Sequence, residues 1–411
     1  MSEPYDAIVV GGGIVGTAVL YCLARRGITN TLLLEKNELT SGSTWHAAGN
    51  CTHFGHNAEV TRLYVNSLKT YLEAETDSGQ DIGFHKTGSL RLANTEAELA
   101  AYRSLEAAYQ SLRIPYRVVD PGEIADLHPL ISLEGVEGAA HTSDDGHVDP
   151  TSATMALARA ARNRGATILT QRPVEAVSPS GGEFWELGCG DETFTTRRVI
   201  IAASFWSREM LLPIGIDLPV YAIEHHELIT ESHPSVASLG FELPTIRDPW
   251  IPGNIRQEGD GFLIGVYEKT PVAWNPHGIP PEFGQELLPP NIDRLMPHLD
   301  RCIQRFPLMG ESGIKAVNNG PISFAPDGFP LLGPVSSHPG LWLATAFHIG
   351  IGTGGGAARF LCDWIIDGTP PYQLGVVHPD RFSQPIATDE AVDRVLSYYA
   401  AGYARPDSES A

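Results

Sequence analysis

Residues 5–16 of this chain read YDAIVVGGGIVG and decide its fold. A short apolar, β-branched run leads directly into Gly11, Gly13 and Gly16, and the residues that follow are apolar at helical spacing. This order predicts a strand, a glycine-rich turn and a helix, the G-x-G-x-x-G arrangement of a dinucleotide-binding fold. Glu35, which ends the next apolar run, supplies the acidic residue expected about 20 positions further on.

The positions of this motif have separate physical roles. Gly11 permits the tight turn, Gly13 lets the main chain approach a pyrophosphate, and Gly16 allows the helix and strand to pack closely. The helix that begins at Ile14 and Val15 presents its N-terminus to the phosphate charge, and Glu35 can accept a hydrogen bond from a ribose hydroxyl. The stretch predicts a dinucleotide site but does not distinguish FAD from a nicotinamide.

Size and charge narrow the class of protein. A chain of 411 residues exceeds one ordinary core, so two to three domains are expected. Hydrophobic residues make up 42% and charged residues 19%, which is typical of a folded globular protein. The formal net charge of −21 argues against binding to nucleic acid or to an anionic membrane.

The five cysteines are dispersed, with no C-x-x-C and no metal-ligand spacing. This pattern predicts buried thiols in a reducing compartment and no metal site. The polar N-terminal residues enter the first strand at once, without room for a signal peptide, and no apolar run is long enough to span a bilayer. We expect a soluble, cytoplasmic protein.

The order of elements predicts an α/β fold with a discontinuous Rossmann-like FAD-binding domain and an interleaved antiparallel-sheet (α+β) substrate domain. Helices are expected over 58–75, 95–113 and 151–164, and strands over 166–170, 172–177 and 197–204. Alternating strands between Pro- and Gly-rich loops predict the antiparallel sheet. The predicted FAD-binding domain comprises 1–84, 142–215 and 318–400, the substrate-binding domain 85–141 and 216–317, and the tail 401–411.

A second glycine cluster occupies residues 350–356, after an apolar strand and before an apolar helix predicted over 357–366. We interpret it as another strand, glycine turn and helix, whose helix N-terminus can stabilise a developing anion. Two units of strand, glycine turn and helix favour FAD, which needs one for its pyrophosphate and one for its flavin ring. A nicotinamide cofactor is disfavoured.

At this point the chain resembles a known family, the dimethylglycine dehydrogenase and sarcosine dehydrogenase family within the broader D-amino-acid-oxidase-like FAD enzymes. The resemblance lies in residues 34–36 with 42–49 (GSTWHAAG), 146–150 (GHVDP), 319–322 with 326–328, and 355–356 with 363–365 and 368–371. In that family the histidine of the GSTWHAAG block is the covalent attachment point of FAD. The resemblance therefore implies that His46 is bonded to the flavin.

The resemblance also implies the other cofactor contacts. They are Glu35, Lys36, Gly42, Ser43, Thr44, Ala48, Gly49, Val174, Ala203, Trp206, His348, Gly350, Ile351, Gly352 and Thr353. Longer family members continue into C-terminal folate-binding domains that these 411 residues lack. We therefore expect the one-carbon unit to be released as formaldehyde or passed to a partner.

Catalysis departs from the family pattern at one position. His225 aligns with the family's active-site histidine, but the tyrosine expected just before Ile255 is absent, and Gly253 and Asn254 stand there instead. Tyr267 and Trp250 are the candidate substitutes. We expect His225 to take the proton of a substrate ammonium, while His226 points to the opposite face of the same strand.

The expected reaction is oxidation of the C–N bond of a small N-methylated amine or amino acid, by hydride transfer to flavin N5 and hydrolysis of the iminium. Arg62, Arg91 or Arg256 would hold a substrate carboxylate. Phe54, Trp250, Tyr267 and Phe347 would form the pocket walls. Two alternatives stay open: deamination of an amino acid, or a flavin subunit of a larger complex. The electron acceptor, oxygen or an electron-transfer protein, and the oligomeric state are left open.

Overall fold

The structure is a computed structural model that describes residues 3–55 and 58–402. The predicted tail, 401–411, lies outside the described residues from 403 onward. Within the described ranges, no helix is both long and apolar enough to cross a bilayer. The five cysteines are buried and free, as predicted.

Twenty strands form the sheets. They are β1 (Ala7–Val10), β2 (Thr31–Leu34), β3 (Asn50–Cys51), β4 (Ser89–Ala93), β5 (Tyr116–Val119), β6 (Gly138–Thr142), β7 (Gly146–His147), β8 (Thr167–Leu169), β9 (Ala176–Ser180), β10 (Phe184–Cys189), β11 (Glu192–Thr196), β12 (Val199–Ile201), β13 (Tyr221–Thr230), β14 (Thr245–Asp248), β15 (Gly253–Glu258), β16 (Gly261–Val266), β17 (Ala273–Trp274), β18 (Ile314–Phe324), β19 (Leu331–Pro334) and β20 (Leu341–Thr345) in the described part of the chain.

Eleven α-helices cover them. They are α1 (Ile14–Arg25), α2 (Ala58–Ser78), α3 (Glu96–Ser104), α4 (Glu106–Ser111), α5 (Pro121–Leu127), α6 (Pro150–Asn163), α7 (Ser207–Leu211), α8 (Pro234–Ala237), α9 (Met296–Arg305), α10 (Gly350–Asp367) and α11 (Thr388–Ala401), again within residues 3–55 and 58–402.

A six-stranded sheet in the order β19-β20-β12-β1-β2-β8 forms the centre of the molecule. All neighbouring strands are parallel except β19, which is antiparallel to β20. Ala7 and Val9 of β1 pack with α1, α2, α6 and α10, whereas Ile8 and Val10 pack toward the small sheet β9–β11. Burial on both faces explains the continuous apolar run of β1. Full burial of a side chain such as Ile8 stabilises the fold by about 1.5–3 kcal/mol.

The glycine motif at the end of β1 has the predicted geometry. Gly11 adopts φ +112°, which a residue with a side chain rarely accepts. A Cβ on Gly16 would lie 2.0 Å from the carbonyl oxygen of Gly11, so α1 approaches the turn too closely for any side chain there. The strand, turn and helix predicted from residues 5–16 are confirmed.

The second glycine cluster is not a turn, so this part of the prediction was wrong. Residues 350–356 form the first two turns of α10, which therefore begins seven residues earlier than predicted. The glycines serve close helix packing instead: a Cβ on Gly356 would lie 2.0 Å from the carbonyl oxygen of Leu63 in α2. Tertiary packing here overrides the low helix propensity of glycine.

Replacing Gly356 with alanine is expected to destabilise the protein by about 2–4 kcal/mol, because a Cβ would collide with the backbone of α2. Gly181→Ala is the matched control, since a Cβ there has no heavy atom within 4 Å. Denaturant unfolding of both variants checks this. Equal unfolding midpoints for the two variants would contradict the close packing of α10 on α2.

A second, nine-stranded sheet has the order β17-β13-β16-β15-β14-β4-β6-β5, with β18 on the free side of β13. It is antiparallel apart from the β4–β14 pair. The mixed α/β architecture with a Rossmann-like sheet and a separate antiparallel sheet agrees with the predicted fold class.

We retain the division into two domains as a proposal, with a change near residue 318. The pairing of β18 with β13 along its full length keeps residues 318–324 with the large sheet. Helix α11 also packs on that sheet, where Tyr399 contacts Tyr221 and Tyr267. The C-terminal segment therefore returns to the proposed substrate domain after α10.

Two local predictions need correction. The helix predicted over 95–113 is divided at Leu105 into α3 and α4. The strand predicted over 172–177 begins only at Ala176, so Val174 lies in irregular chain. Pro173 has no N–H to donate to a strand ladder, which accounts for the later start.

Candidate active site

A cavity of about 580 Å³ lies at the carboxyl edge of the central sheet, where parallel strands end together. Most of the predicted cofactor contacts line it. They are Gly11, Gly13, Ile14, Val15, Glu35, Lys36, Gly42, Ser43, Thr44, Val174, Ala203, Trp206, His348, Gly350 and Ile351.

The N-terminus of α1 forms one wall of this cavity. Thr44 Oγ1 accepts a hydrogen bond of 3.1 Å from the Ile14 amide, and so fixes the loop after β2 against the helix. The first turn of α1 contains no acidic residue, and its N-cap, Gly13, carries no side chain. The positive end of the helix dipole is therefore left for an anionic ligand.

Glu35 and Lys36 are held in place by main-chain groups. One Glu35 oxygen accepts from the Gly12 amide at 2.6 Å and the other from the Asn37 amide at 2.8 Å. Burial raises the pKa of this carboxyl. Two carboxylate lone pairs are left for a ribose hydroxyl. Lys36 Nζ donates to the Phe283 carbonyl at 2.6 Å and lies 4.1 Å over the ring of Trp206.

Two further observations fit a bound dinucleotide. Trp206 Nε1 is buried at this cavity without a hydrogen-bond partner among residues 3–55 and 58–402. The N-terminus of α10, at Gly350, lines the same cavity and has no acidic residue in its first turn. An indole donor and two positive helix ends suit a long ligand with anionic and acceptor groups.

A smaller cavity of about 120 Å³ adjoins the first. The two share Ser43, Ala47, Ile322, His348, Gly350 and Ile351. The residues that line only the smaller cavity are His46, Ala48, Gly49, Asn50, His225, Glu227, Arg247, Asn254, Tyr267, Asn318, Gly320, Ile349 and Gly352. The smaller cavity therefore lies between the loop that contains His46 and one face of the nine-stranded sheet.

His46 lines the smaller cavity and is close in sequence to Ser43 and Ala47, which line both. Its ring lies against Gly320, where a Cβ would come within 2.3 Å of it, and forms a T-shaped pair with the ring of Trp45. Burial lowers the pKa of His46 to about 4. The imidazole is therefore neutral at physiological pH and retains a nucleophilic lone pair.

His225 is held by the C-terminal helix. Its Nδ1 lies 2.7 Å from the hydroxyl of Tyr399, and that hydroxyl donates to the Val266 carbonyl at 3.3 Å. Since the tyrosine proton is used there, His225 donates from Nδ1, and Nε2 is left as an acceptor. Burial lowers the pKa of His225 to about 4, so the ring is neutral and is a weak proton acceptor.

A row of polar side chains crosses the nine-stranded sheet below His225. Direct cross-strand pairing joins Arg247 of β14 to Asn254 of β15, then Gly265 of β16, Glu227 of β13 and Asn318 of β18. All except Gly265 line the smaller cavity. The row therefore places a guanidinium at one end of this cavity and a carboxyl near the other.

Glu227 is the acidic residue of this row, and its pKa is shifted. It is buried, and burial raises its pKa to about 7, although Arg256 opposes the shift. Glu227 and His225 are two residues apart on β13 and share a face of the sheet. A carboxyl that titrates near neutrality and a neutral imidazole thus stand together.

His226 points away from the cavity, as predicted. Its Nε2 accepts from the Asn291 amide at 3.0 Å, and its Nδ1 lies 2.7 Å from Glu268, which also pairs with Arg294. This buried network holds the 291–294 segment to the sheet. His226 is therefore a structural residue.

Some predicted site residues lie elsewhere. Among the predicted cofactor residues, Gly16 and Thr353 line neither cavity. Gly16 packs against the glycine turn at Gly11. The Thr353 hydroxyl donates to the Ile349 carbonyl at 2.7 Å. Among the candidate wall residues, Tyr267 and Phe347 line the cavities, whereas Phe54 stacks under Arg91 and Trp250 lies beside Arg301 and Arg305.

The sequence offered three arginines for a substrate carboxylate without choosing among them. Arg62 lies over Tyr372, and Arg256 bonds to the Ala48 carbonyl and pairs with Glu258. None of Arg62, Arg91 and Arg256 lines a cavity, whereas Arg247 does. Its side chain also donates to Thr52 at 3.3 Å.

The sequence reasoning missed Glu227, Arg247, Asn318 and Tyr399 as site residues. A signal existed for Tyr399, because Ala391, Val395 and Tyr399 recur at helical spacing and predict a buried face. A signal also existed for Glu227, which must share the face of His225 on the same strand.

The parallel sheet, the glycine turn and the larger cavity define a dinucleotide-binding protein with a second, smaller cavity beside the first. Comparison with known proteins gives its family. The chain matches the family described as DAO, FAD dependent oxidoreductase, over residues 6–364, and it belongs to that family. It is thus an FAD-dependent oxidoreductase, as predicted.

Curated relatives support the predicted resemblance. The chain is 36% identical over 389 residues to "Dimethylglycine dehydrogenase, mitochondrial" of Mus musculus. The alignment covers 92% of this chain and 44% of that protein. It is 33% identical over 384 residues to "4-methylaminobutanoate oxidase (formaldehyde-forming)" of Paenarthrobacter nicotinovorans. This alignment covers 92% of this chain and 45% of that protein. The chain thus spans less than half the length of these relatives.

The fold also matches solved structures. The L-proline dehydrogenase of P. horikoshii superposes with a TM-score of 0.81 at 20% identity, covering 93% of this chain and 99% of that one. At this identity the likeness concerns the fold alone.

Proposed function

We propose that this chain oxidises the C–N bond of a small, zwitterionic N-methylated amino acid and releases formaldehyde. The names of the two curated relatives point to N-methyl amino acids. The observation that carries the proposal is the polar row, with Arg247 at one end of the smaller cavity and Glu227 near the other. Bound FAD would accept the hydride taken from the substrate carbon.

The row fits a zwitterion in one orientation. Three strand spacings, about 14 Å, separate the backbones of Arg247 and Glu227, and both side chains extend into the gap. The guanidinium would bind the substrate carboxylate through two parallel hydrogen bonds. The ammonium group would then lie beside Glu227 and His225.

We propose that Glu227, rather than His225, accepts the proton of the substrate amine. An amine must lose its proton before its lone pair can assist hydride departure. With a pKa of about 7, Glu227 accepts that proton far more readily than His225, whose pKa is about 4. In a secondary ammonium, which has two N–H groups, Nε2 of His225 would accept the second and so orient the amine, with Tyr399 fixing the ring.

We also propose that His46 carries FAD covalently. The supporting observations are its place in the smaller cavity, which adjoins the larger one, and its neutral imidazole, which keeps the lone pair that bond formation requires. Gly320 and Trp45 hold the ring in a single orientation. The remaining contacts proposed for FAD are those that line the larger cavity.

Anaerobic bleaching of the flavin tests the substrate class. We expect dimethylglycine, sarcosine or 4-methylaminobutanoate to reduce the protein, and dimethylamine, which lacks a carboxylate, to do so at least about 100-fold more slowly. Glycine controls for the methyl group. Equal rates with dimethylamine would contradict the zwitterion proposal, and bleaching by glycine alone would favour deamination.

Replacing Glu227 with glutamine is expected to remove the pH dependence of flavin reduction near neutrality. In the wild-type protein, kcat/KM should rise as the pH increases through about 7, because Glu227 loses its proton and becomes the acceptor. The variant should be about 100-fold slower at pH 8, with little difference at pH 5.5. Stopped-flow reduction across this range measures both profiles.

Glu224→Gln is the matched control, since Glu224 lies on β13 but pairs with Arg294. It should keep the wild-type profile. If Glu227→Gln also keeps the step near pH 7, another group accepts the proton.

A further inference from the structure

We propose a binding site for a divalent transition-metal cation, of the Zn²⁺ class, formed by His85, His147 and Glu242. This cluster lies outside the cavities of the active site, and the proposed oxidation reaction does not use it. His147 belongs to the GHVDP stretch, for which the cofactor cavity gives no role.

The backbone holds the two histidines side by side. His85 and His147 face each other in an antiparallel bridge, joined by main-chain hydrogen bonds of 2.8 and 3.1 Å. Their side chains leave the same face, and the rings stack with centroids 4.8 Å apart and an angle of 10° between the planes. The main chain thus holds the two imidazoles next to each other, and the stacked rings must turn before one nitrogen of each can point at a shared ion.

Glu242 completes the cluster from the loop between α8 and β14. One carboxylate oxygen lies 2.8 Å from His85 Nδ1 and the other 2.9 Å from His147 Nε2. The possible ligand atoms all lie within 4.8 Å of one another. Tetrahedral zinc needs ligand atoms about 3.3 Å apart, so the three side chains must move closer and the two imidazole rings must turn toward the ion.

The chemistry of the donors selects the cation. Two imidazole nitrogens and one carboxylate suit zinc, cobalt or nickel, whereas magnesium and calcium prefer oxygen donors alone. His85 is half exposed, which leaves a path for the ion and room for water as a fourth ligand.

Such an ion would join three segments that lead into the active site. His147 of β7 pairs with Asn50 of β3, which lines the smaller cavity. The loop that carries Glu242 continues into β14 and Arg247, and His85 precedes β4. A bound cation would therefore stabilise the edge of the substrate cavity without contacting a substrate.

Equilibrium dialysis of the tag-free, EDTA-treated holoprotein against ZnCl₂, with bound metal counted by mass spectrometry, tests the proposal. We expect one Zn²⁺ per chain, a rise of about 3 °C in the unfolding midpoint at saturation, and no comparable effect of MgCl₂. Cobalt should give absorption bands beyond the flavin spectrum that indicate an imidazole-containing site.

His85→Ala and Glu242→Gln should each weaken zinc binding by at least about 10-fold. Both positions are partly exposed, so folding and flavin content should persist, and these are measured alongside. His277→Ala, which removes an exposed histidine far from the cluster in sequence, should bind zinc as the wild type does. Less than one equivalent in the wild type, or undiminished binding in both cluster variants, would overturn the proposal.

Discussion

Replacing His46 with alanine is expected to abolish the covalently retained flavin while leaving bound FAD detectable. The neutral, nucleophilic imidazole lines the smaller cavity, which adjoins the larger one, and alanine removes the bonding atom. The contacts of the larger cavity, including Glu35 and the N-terminus of α1, are unchanged. Acid-precipitated protein run on a denaturing gel should fluoresce for the wild type and not for the variant.

The controls for this experiment separate bond formation from folding. His225→Asn changes a second histidine of the same cavity and should keep the fluorescent band. His46→Asn replaces the ring with a smaller polar group and should behave as His46→Ala does. A fluorescent band in both His46 variants, or its absence from the wild type, would refute the covalent link.

Replacing Arg247 with methionine is expected to lower kcat/KM for N-methyl amino acids by about 10³-fold. The side chain keeps a similar length but loses the charged fork, so a bound carboxylate would be left desolvated without a partner. Arg247→Lys should recover only part of the loss, because an ammonium group cannot form the two parallel bonds. Steady-state kinetics on both variants measures the effect.

Dimethylamine provides the internal control, because it has no carboxylate for Arg247 to bind. Its slow oxidation should change less than about threefold in Arg247→Met. Arg91→Met is the matched variant, since Arg91 is the direct neighbour of Arg247 in β4 but lies over Phe54 rather than at the cavity. Equal losses for both kinds of substrate would show that Arg247 supports the fold and not recognition.

The parts of the fold that were predictable from sequence depend on contiguous residues. The motif from β1 to α1 is local, and its glycines, apolar periodicity and acidic residue lie within 35 positions. The FAD cofactor, the family and the general class of enzyme were inferred from it, from the second glycine cluster and from the four stretches that carry the resemblance, including the GSTWHAAG block. The sequence also predicted that His225 and His226 lie on opposite faces of the sheet, because successive side chains of a strand alternate between the two faces.

The substrate cavity was harder to predict because it depends on strand register. Arg247, Asn254, Glu227 and Asn318 come from four strands, and a slip of one residue in any of them would turn its side chain to the other face. Sequence spacing contains no information on that register. The sequence therefore left three arginines open, and the structure places one of them, Arg256, on the main-chain carbonyl of Ala48.

The second glycine cluster shows a different limit. Glycines at 350–356 have poor helix propensity, and a turn is the ordinary interpretation of such a run. Contact with the backbone of α2 requires glycine inside the helix, and that contact depends on residues nearly 300 positions away. The predicted helix N-terminus at the cavity was right, but its starting residue was not.

The most direct test of the proposed reaction is product stoichiometry in a single turnover. Wild-type protein is mixed anaerobically with excess dimethylglycine or sarcosine, and formaldehyde and glyoxylate are measured against the flavin that is reduced. We predict one formaldehyde per reduced flavin and no glyoxylate. Glyoxylate with dimethylamine or methylamine, and no formaldehyde, would contradict N-demethylation and identify the chain as an enzyme that oxidises the other C–N bond of its substrate.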